Sequence, residues 1–494
     1  MFSAFLTLVA DAHNPAGASE TILGVRKMRE ITLADLRRRL DNVCDVQYRE
    51  LHCKVGAVYL IYIPSMCDTK QISEFVIRPL LQGLSRSADA QTIAGSVLQA
   101  GNVHALAEED DAVLSVMSGG VVILIPCMKQ TLCCDLHGYE LRSLDIPQTE
   151  TVIKGPREGF TEDIRANVSA LRRRIKSSHL KLERFYLGAD THTEVILCYI
   201  EGCTPAKLIS YVRAKITQVE KRYVFYTNNV EDVLRCRHTP FDTVGYTEKP
   251  DVAAAKLAEG RVVVLVDGNP FVITAPMFFI ENFQTTDDYT LNPIMANLGR
   301  IFRWIAFFLS TFIPGLYLAL VTYHFKLVPN IFLYRLALFR AGVPVPTVVE
   351  LLYMILFFQI IREAGVRLPQ PIGPTLSIVG ALILGESAVT SGLASQITVV
   401  IVAITSIASY LIPILHASIF TWGIGVVLLS ALIGLPGFYM GFVLFVAHLA
   451  GLTSCGYPYL YPLGTEKTFR YHDVLLRGNL KKVSNQPLAG GGKS

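Results

Sequence analysis

Charged residues are scarce in this chain of 494 residues, at 17% of the sequence, while hydrophobic residues make up 51%. A soluble protein of this length usually carries about a quarter charged residues. The deficit lies mostly at one end, because the stretch from Ser387 to Thr465 has no aspartate, glutamate, lysine or arginine. Such a length suffices for two to three membrane spans of about 20 residues each. The missing charge therefore predicts a C-terminal membrane domain.

Recognisable catalytic motifs are also absent. The sequence contains no P-loop, no GxSxG nucleophile elbow and no HExxH zinc motif. Its ten cysteines form no CxxC pair, and their scatter is typical of reduced thiols in a cytosolic compartment. A net charge of +4 is too small to indicate nucleic-acid binding. We therefore expect a protein that is not an enzyme, with no catalytic residues, no cofactor and no metal site.

The soluble region contains one pattern twice, which predicts a structural repeat. In each copy a strand-like run precedes a helical stretch, and a run of β-branched residues after a glycine follows later. The two copies lie at 55–63, 70–81 and 120–125, and at 194–200, 206–216 and 260–266. After the second copy, Asp267-Gly268 predicts a hairpin turn with its return strand at 271–274.

These patterns predict the organisation of the whole chain. The fold class is a soluble α+β or α/β region of two subdomains, followed by an all-α polytopic membrane domain of about four to six helices. No convincing export signal is present, so we expect the soluble region on the cytoplasmic side. The predicted boundaries are a flexible leader at 1–19, subdomains at 20–150 and 151–295, the membrane domain at 296–465, and a polar tail at 466–494.

The densest motif in the chain, Lys154-Gly-Pro-Arg-Glu-Gly-Phe-Thr-Glu162, separates the two copies. A turn is predicted at its Gly-Pro step, and Thr161 is predicted to cap the helix that follows. That helix carries Arg172-Arg173-Arg174, which forms either a basic face for anionic lipid or an acidic partner, or a solvated surface. The central residues of the motif are Gly155, Pro156, Arg157, Glu158, Gly159 and Phe160.

In the C-terminal region we predict five membrane crossings as a central estimate. The lysine and arginine counts of the short loops are too even to fix their orientation. The span that begins at Trp304 contains a Pro-Gly interruption, and the stretch at 347–361 is either a span or a re-entrant segment followed by a polar connection at 362–367. The apolar stretches lie at 304–325, 347–361, 376–396, 397–415 and 422–450, of which the last is either one span or a span plus a partial one.

Two acidic residues in this region are candidates for a pore or a coupling role. Glu386 lies within an apolar segment, where an ionisable group usually faces a cavity or a partner. Alternatively it lies near the membrane interface or pairs with an arginine. Glu350 lies at the start of an apolar stretch, where a favourable interaction with the helix dipole also explains it.

Small residues at four-residue spacing predict close helix packing in the same region. Two such pairs are Ala388 with Gly392, and Gly437 with Gly441; Ser391 and Ser395 form a third. This spacing favours a tightly packed helical assembly, within one chain or between subunits.

Six blocks in order resemble the A subunit of the GerA-type nutrient germinant receptors of endospore-forming bacteria, over about Ala34 to Leu463. Several such blocks in the right order are highly specific. They are Lys154-Gly-Pro-Arg-Glu-Gly-Phe-Thr-Glu162, Tyr246-Thr-Glu-Lys-Pro-Asp251, Thr286-Asp-Asp-Tyr289, Arg362-Glu-Ala-Gly-Val-Arg-Leu-Pro369, Ser377-Ile-Val-Gly-Ala-Leu382 and Gly456-Tyr-Pro-Tyr-Leu-Tyr-Pro462.

The resemblance implies a multi-pass protein of the spore inner membrane, in contact with membrane lipid. It implies two partners, a transporter-like B subunit that senses the nutrient and a lipoprotein C subunit. It also implies that copies of the chain form a homo-oligomeric ring that conducts monovalent cations when germinant binds.

This chain departs from the family pattern at several positions. It has Met354-Ile355 and Phe358-Gln359 where relatives commonly have acidic residues, Glu386 where they have a neutral one, and Lys249 where arginine is more usual. These departures weaken a conventional pore or coupling assignment. Two alternatives to the receptor stay open. One is an auxiliary ion-release channel like the stage V sporulation AF protein, and the other is a non-conducting membrane scaffold for germination proteins.

Overall fold

The structure is a computed structural model, and part of the chain lies outside what it describes. The predicted leader and most of the predicted tail belong to that part. Two β-sheets with covering helices come first along the chain, and helices then occupy most of 293–451. The described residues are 31–463 and 473–478, except 55, 84–91, 107, 127–129, 137, 139–149, 151, 220–221 and 369–372.

The first sheet has five strands in the spatial order β1-β2-β4-β5-β3, and each neighbouring pair is antiparallel. Its strands are β1 (Gln47–Cys53), β2 (Gly56–Tyr62), β3 (Val103–Ala105), β4 (Val121–Ile125) and β5 (Gln130–Cys134). All five residues of β4 are buried, as expected for a continuous apolar run covered on both faces. One face packs on α1 (Leu33–Arg39) and α3 (Glu109–Met117), and the other on the helical stretch α2 at 69–83.

The second sheet repeats the strand order of the first, as β6-β7-β9-β10-β8, again with antiparallel pairs. Its strands are β6 (Leu180–Leu187), β7 (Thr193–Ile200), β8 (Gly245–Thr247), β9 (Val262–Val266) and β10 (Val272–Ala275). Helices cover both faces: α4 (Ile164–Arg174), α5 (Ala206–Thr217), α6 (Asn228–Leu234) and α7 (Pro250–Ala258). The predicted repeat is confirmed, and the antiparallel pairing makes the soluble region α+β rather than parallel α/β.

The basic run on α4 has neither of its predicted roles. Arg172 is fully buried, and its Nη2 and Nε donate to the Asp45 carboxylate over 3.0 and 3.1 Å, across to the first sheet's subdomain. Arg174 forms an ion pair with Glu158. These arginines therefore hold parts of the soluble region together, and a basic face for lipid or a fully solvated one was the wrong prediction.

The helix cap next to this run was also assigned wrongly. The N-cap of α4 is Asp163, whose carboxylate accepts a hydrogen bond from the backbone N–H of Arg165 at 2.9 Å. Thr161 instead donates its backbone N–H to Asn167 Oδ1 at 2.8 Å.

After the short helix α8 (Asp287–Thr290), the described residues of the C-terminal region form seven further helices. Among the described residues, the segments Pro293–Thr322 and Pro413–Ile433 are long and apolar enough to cross a membrane. The helices Gln396–Tyr410 and Leu435–Gly451 are apolar but shorter. The helices are α9 (Pro293–Thr322), α10 (Asn330–Arg340), α11 (Thr347–Arg367), α12 (Gly373–Thr390), α13 (Gln396–Tyr410), α14 (His416–Ile433) and α15 (Leu435–Gly451). Four to six crossings remain a prediction.

Two details of this region differ from the expectation. The Pro-Gly step does not interrupt α9, which continues through Pro314. The predicted polar connection at 362–367 instead forms the last turns of α11. The apolar stretch 422–450 divides into two helices, in agreement with the second of its two predicted forms. They are joined at Gly434, whose φ of 77° is readily adopted only by glycine.

Past the last helix the chain returns to the soluble region. The short strands β11 (Thr453–Ser454) and β12 (Tyr457–Pro458) pair with each other. Tyr459 is fully buried, and its hydroxyl donates to the carbonyl of Asp242 at 2.9 Å. Its own carbonyl accepts from the N–H of Phe279 at 2.9 Å. The C-terminal ribbon, residues 453–461, thus packs between the sheets and the helices.

Candidate functional site

Glu350 lies in the first turn of α11 and is fully buried among α9, α11 and α13. Its Oε1 accepts two hydrogen bonds from Ser395, one from the backbone N–H and one from the hydroxyl, both at 2.6 Å. The Ser395 hydroxyl lies 3.0 Å from Thr398 Oγ1, which is 3.1 Å from the hydroxyl of Tyr317. Glu350 Oε2 has no hydrogen-bond partner among the described residues. The residue therefore joins three helices from the interior.

Glu350→Gln is expected to leave the free energy of unfolding nearly unchanged, because the amide oxygen still accepts both hydrogen bonds from Ser395. Glu350→Leu is expected to lower it by about 1–3 kcal/mol, because the Ser395 N–H loses its acceptor. Denaturant unfolding in mixed micelles measures both, with Glu363→Gln on the exposed surface of α11 as the control. If glutamine destabilises as much as leucine, the hydrogen bonds to Ser395 are not what makes Glu350 important.

Glu386 lies in a different setting, because its side chain is exposed on the last turns of α12. It is the single formally charged residue between Arg367 and Glu466 in the sequence. Ser387, Thr390 and Ser391 are exposed beside it, and the spacing of four places them on one side of the helix end. We call these four residues the polar stripe. The structure thus separates the two predicted acids, one interior and one on the surface.

The predicted packing residues fall into two groups. A Cβ on Gly437 would lie 2.0 Å from the carbonyl oxygen of Leu429, and one on Gly441 would lie 3.1 Å from a methyl of Val426, so both sit where α15 meets α14. Gly392 lies beyond the end of α12 with a φ of 69°, and a Cβ there would meet the carbonyl of Gly342 at 2.8 Å. Ala388 is buried on α12, so it does not share a helix face with Gly392.

The predicted motif between the sheets is partly buried and partly exposed. Gly155 has a φ of 147°, which favours glycine, and Pro156 and Arg157 are exposed. Phe160 is buried under α4, and its backbone N–H donates to the carbonyl of Glu248 at 2.7 Å. The first half of the motif therefore lies at the surface among the described residues, while the buried half serves the fold.

A cluster of charges joins the soluble region to the first long helix. Arg300 of α9 is fully buried, and it donates to Asp288 Oδ2 at 2.8 Å and to Asp473 Oδ1 at 2.6 Å. Arg303 also forms an ion pair with Asp288. Arg477 donates to the carbonyl oxygen of Asp288 at 2.8 Å. We call Asp288, Arg300, Arg303, Asp473 and Arg477 the junction cluster.

The chemistry of the junction cluster keeps its central acid ionised. Burial alone would raise the pKa of Asp288, but hydrogen bonds from Arg303 and Arg300 outweigh it, so the pKa lies below its ordinary value. Burial and the Asp473 carboxylate raise the pKa of Tyr289, whose hydroxyl donates to Asp473 Oδ2 at 2.6 Å. The sequence signal for this cluster was two neighbouring acids and an i, i+3 arginine pair just before the apolar stretch 304–325, but the cluster was not among the predicted sites.

Comparison with known proteins gives concordant matches along most of the chain. The family profile described as "Bacillus/Clostridium GerA spore germination protein" matches residues 34–489. Spore germination protein KA of Bacillus subtilis (strain 168) is 35% identical over 90% of this chain and 83% of its own length. The uncharacterized membrane protein YfkQ of the same organism is 33% identical over 92% and 90%.

A solved structure also matches part of the chain. It is the N-terminal domain of the A subunit of the Bacillus megaterium spore germinant receptor GerK3, at 27% identity and a TM-score of 0.38. The match covers 50% of this chain and 94% of that one.

Proposed function

Because this chain belongs to the GerA family of spore germination proteins, we propose that it is the A subunit of a nutrient-sensing receptor in the spore inner membrane. It works there with a transporter-like B subunit and a lipoprotein C subunit. The soluble sheets lie on the core-facing side of the membrane. Copies of the chain assemble into a ring that conducts monovalent cations and so triggers germination.

The observation that carries the conduction proposal is the polar stripe on α12. In a single chain Glu386, Ser387, Thr390 and Ser391 are exposed at the end of α12, a helix that has no other charged residue. An exposed carboxylate at membrane depth is costly unless it faces water or a polar partner. Rings of acidic side chains are one way in which channels select cations. Several copies of the stripe around an axis would supply such a ring.

The junction cluster supports the proposed coupling between the soluble region and the membrane helices. Asp288 lies directly before α9, and both of its arginine partners lie on the first turns of that helix. Buried ion pairs resist separation, because an unpaired buried charge is strongly unfavourable. A movement of the second sheet's subdomain is therefore transmitted to α9 as a rigid unit.

The proposal predicts a large loss of ion flux when the polar stripe is neutralised. We expect Glu386→Gln to slow nutrient-triggered potassium release by about tenfold, because an acidic ring concentrates cations at the path entrance. Spores that lack other receptors, with the normal gene, no gene or Glu386→Gln, are exposed to single amino acids, sugars and nucleosides. Potassium in the medium is recorded with time, and immunoblots check the amount of protein.

A matched control distinguishes the stripe from acidity in general. Glu363 is an exposed acid on α11, paired with Arg367 at 2.7 Å, and Glu363→Gln is expected to release potassium at the normal rate. Identical release with and without the gene for every nutrient would refute the receptor assignment, in favour of the auxiliary channel or the scaffold. Normal release by Glu386→Gln at normal abundance would remove the stripe from the conduction path.

A further inference from the structure

A small cavity with a polar wall lies among α9, α11, α13 and α14. Its volume is about 70 Å³. Arg362 and Gln359 of α11, His416 of α14, and Ser409 and Ser310 are among the polar residues of its lining. Ile355, Phe358, Ile419 and Phe420 are among the apolar residues that complete it. These residues belong neither to the polar stripe nor to the junction cluster.

Arg362 is the charged group of this cavity. Its Nη1 donates to the hydroxyl of Ser409 at 3.1 Å and to Nδ1 of His416, and its guanidinium carbon lies 4.8 Å from the ring centre of Tyr410. Arginine always stays protonated, so Nδ1 of His416 must be the acceptor. The His416 proton is then on Nε2, which donates to Gln359 Oε1 at 3.1 Å. The imidazole is thus neutral and contributes no charge.

The positive charge of Arg362 has no acidic partner in the part of the chain that the structure describes. Neighbouring Glu363 forms its ion pair with Arg367 instead. The Nε and Nη2 groups of Arg362 have no acceptor among the described residues, and neither atom is fully buried. Two N–H groups in a fixed planar arrangement match two oxygens of a phosphate or carboxylate. Arg362 therefore presents two N–H donors that match an anion with paired oxygens.

The position of the cavity along the helices favours a lipid as the source of that anion. His416 begins α14, and two residues later the Ser418 hydroxyl donates to the carbonyl of Pro240 in the soluble region at 2.7 Å. Ile412 and Leu415 pack with Phe241 at the same end. The cavity thus lies at the end of the bundle that faces the soluble region. This is the depth at which basic pockets between membrane helices hold lipid headgroups.

We propose that this cavity binds the phosphate of an anionic membrane lipid, with Arg362 as its ligand. Nε and Nη2 donate to two phosphate oxygens, and the exposed hydroxyl-bearing ring of Tyr410 flanks the guanidinium. The apolar side chains of Phe358 and Phe420 pack on the glycerol and the first methylenes of the lipid. This inference rests on the membrane placement proposed above. It adds a requirement for an anionic lipid, which the proposed role in germination does not imply.

Native mass spectrometry of the purified full-length chain in detergent tests the site, with dioleoylphosphatidylglycerol as the probe. We expect one tightly bound lipid per chain, and Arg362→Gln is expected to weaken it about tenfold, because a bidentate charge-assisted contact is lost. Arg362→Lys keeps the charge and is expected to retain part of the affinity. Arg335→Gln, which removes an exposed arginine on α10, is expected to bind like the unaltered chain.

The arms of the experiment separate the possible failures. Equal binding by Arg362→Gln, in a preparation that is monodisperse and unfolds at the normal temperature, overturns the site. So does equal binding of dioleoylphosphatidylcholine, or displacement of the anionic lipid by inorganic phosphate at a similar concentration. If the chain leaves the membrane pellet without detergent, the membrane placement itself is refuted. If extraction needs detergent but lipid binding does not depend on Arg362, only the lipid site is refuted.

Discussion

Asp288→Asn is expected to lower the free energy of unfolding by about 3–5 kcal/mol, because two buried arginines lose a shared carboxylate. Arg300 keeps Asp473, but Arg303 keeps only neutral acceptors, among them the Phe283 carbonyl at 2.7 Å. Trp304 stacks on Phe283 with ring centres 3.7 Å apart, so its fluorescence reports on this region. Trp422→Phe removes the second tryptophan of the chain, and denaturant titration in mixed micelles then gives the stability.

Asp287→Asn is the matched control, since it makes the same change one residue earlier, where no ion pair is present among the described residues. Its carboxylate accepts one backbone N–H, from Ile153 at 3.1 Å, and an asparagine oxygen can still do so. A loss below about 1 kcal/mol is expected there. Equal losses for both variants would show that the junction cluster is not what makes Asp288 important.

The junction cluster also predicts how stability changes in acid. The pKa of Asp288 is depressed in the folded chain, so its contribution is fully present above its ordinary value. The contribution is lost as the pH falls through the depressed pKa. The Trp304 fluorescence should therefore stay constant from neutral pH to about pH 4 and change below it. The Asp288→Asn variant should lack this change at acid pH.

Gly437→Ala is expected to lower the free energy of unfolding by about 3 kcal/mol, because the new methyl has no room. It would lie 2.0 Å from the carbonyl oxygen of Leu429 and 2.6 Å from the carbonyl carbon of the same residue. Both are backbone atoms of α14, which cannot turn aside as a side chain can. The single residue Gly434 joins the two helices, so they cannot separate without changing that turn.

Gly425→Ala provides the control for this substitution. A Cβ at Gly425 would meet nothing within 4 Å, although the residue lies on the same helix pair. Alanine there is expected to be neutral or to stabilise by up to about 1 kcal/mol, from its higher helix propensity. The same unfolding measurement compares the two variants. A Gly437→Ala chain as stable as Gly425→Ala would show that α14 and α15 pack differently from the structure described here.

Strands of the soluble region could be predicted from sequence because they are continuous β-branched runs. Val121–Ile125 and Val262–Val266 are apolar at every position, as strands covered on both faces must be. Their repeated spacing placed them at equivalent positions in two sheets. The predicted hairpin at Asp267-Gly268 is confirmed as the antiparallel pair β9–β10. Strand order and the other antiparallel pairs were not predictable in this way, because they depend on contacts between distant segments.

The charged residues show where such prediction ends. Arg172 and its partner Asp45 are 127 residues apart, and Arg300 and Asp473 are 173 apart. A local pattern shows that a charge is present but not what lies opposite it in the fold. Glu350 and Glu386 likewise stand out in sequence as acids in apolar surroundings. Their opposite settings follow from which helix faces pack inward, which depends on the neighbouring helices.

The order in which a ribosome delivers the chain gives the C-terminal segment a further consequence. Arg300 is synthesised 173 residues before Asp473, and the described helices α10 to α15 are made in between. The first turns of α9 therefore lack one of their carboxylate partners until Asp473 has been translated. A product that ends just after α15 retains the described helices but lacks the ribbon and Asp473. Only a product that extends past Asp473 can form this ion pair, so the pair distinguishes such products from shorter ones.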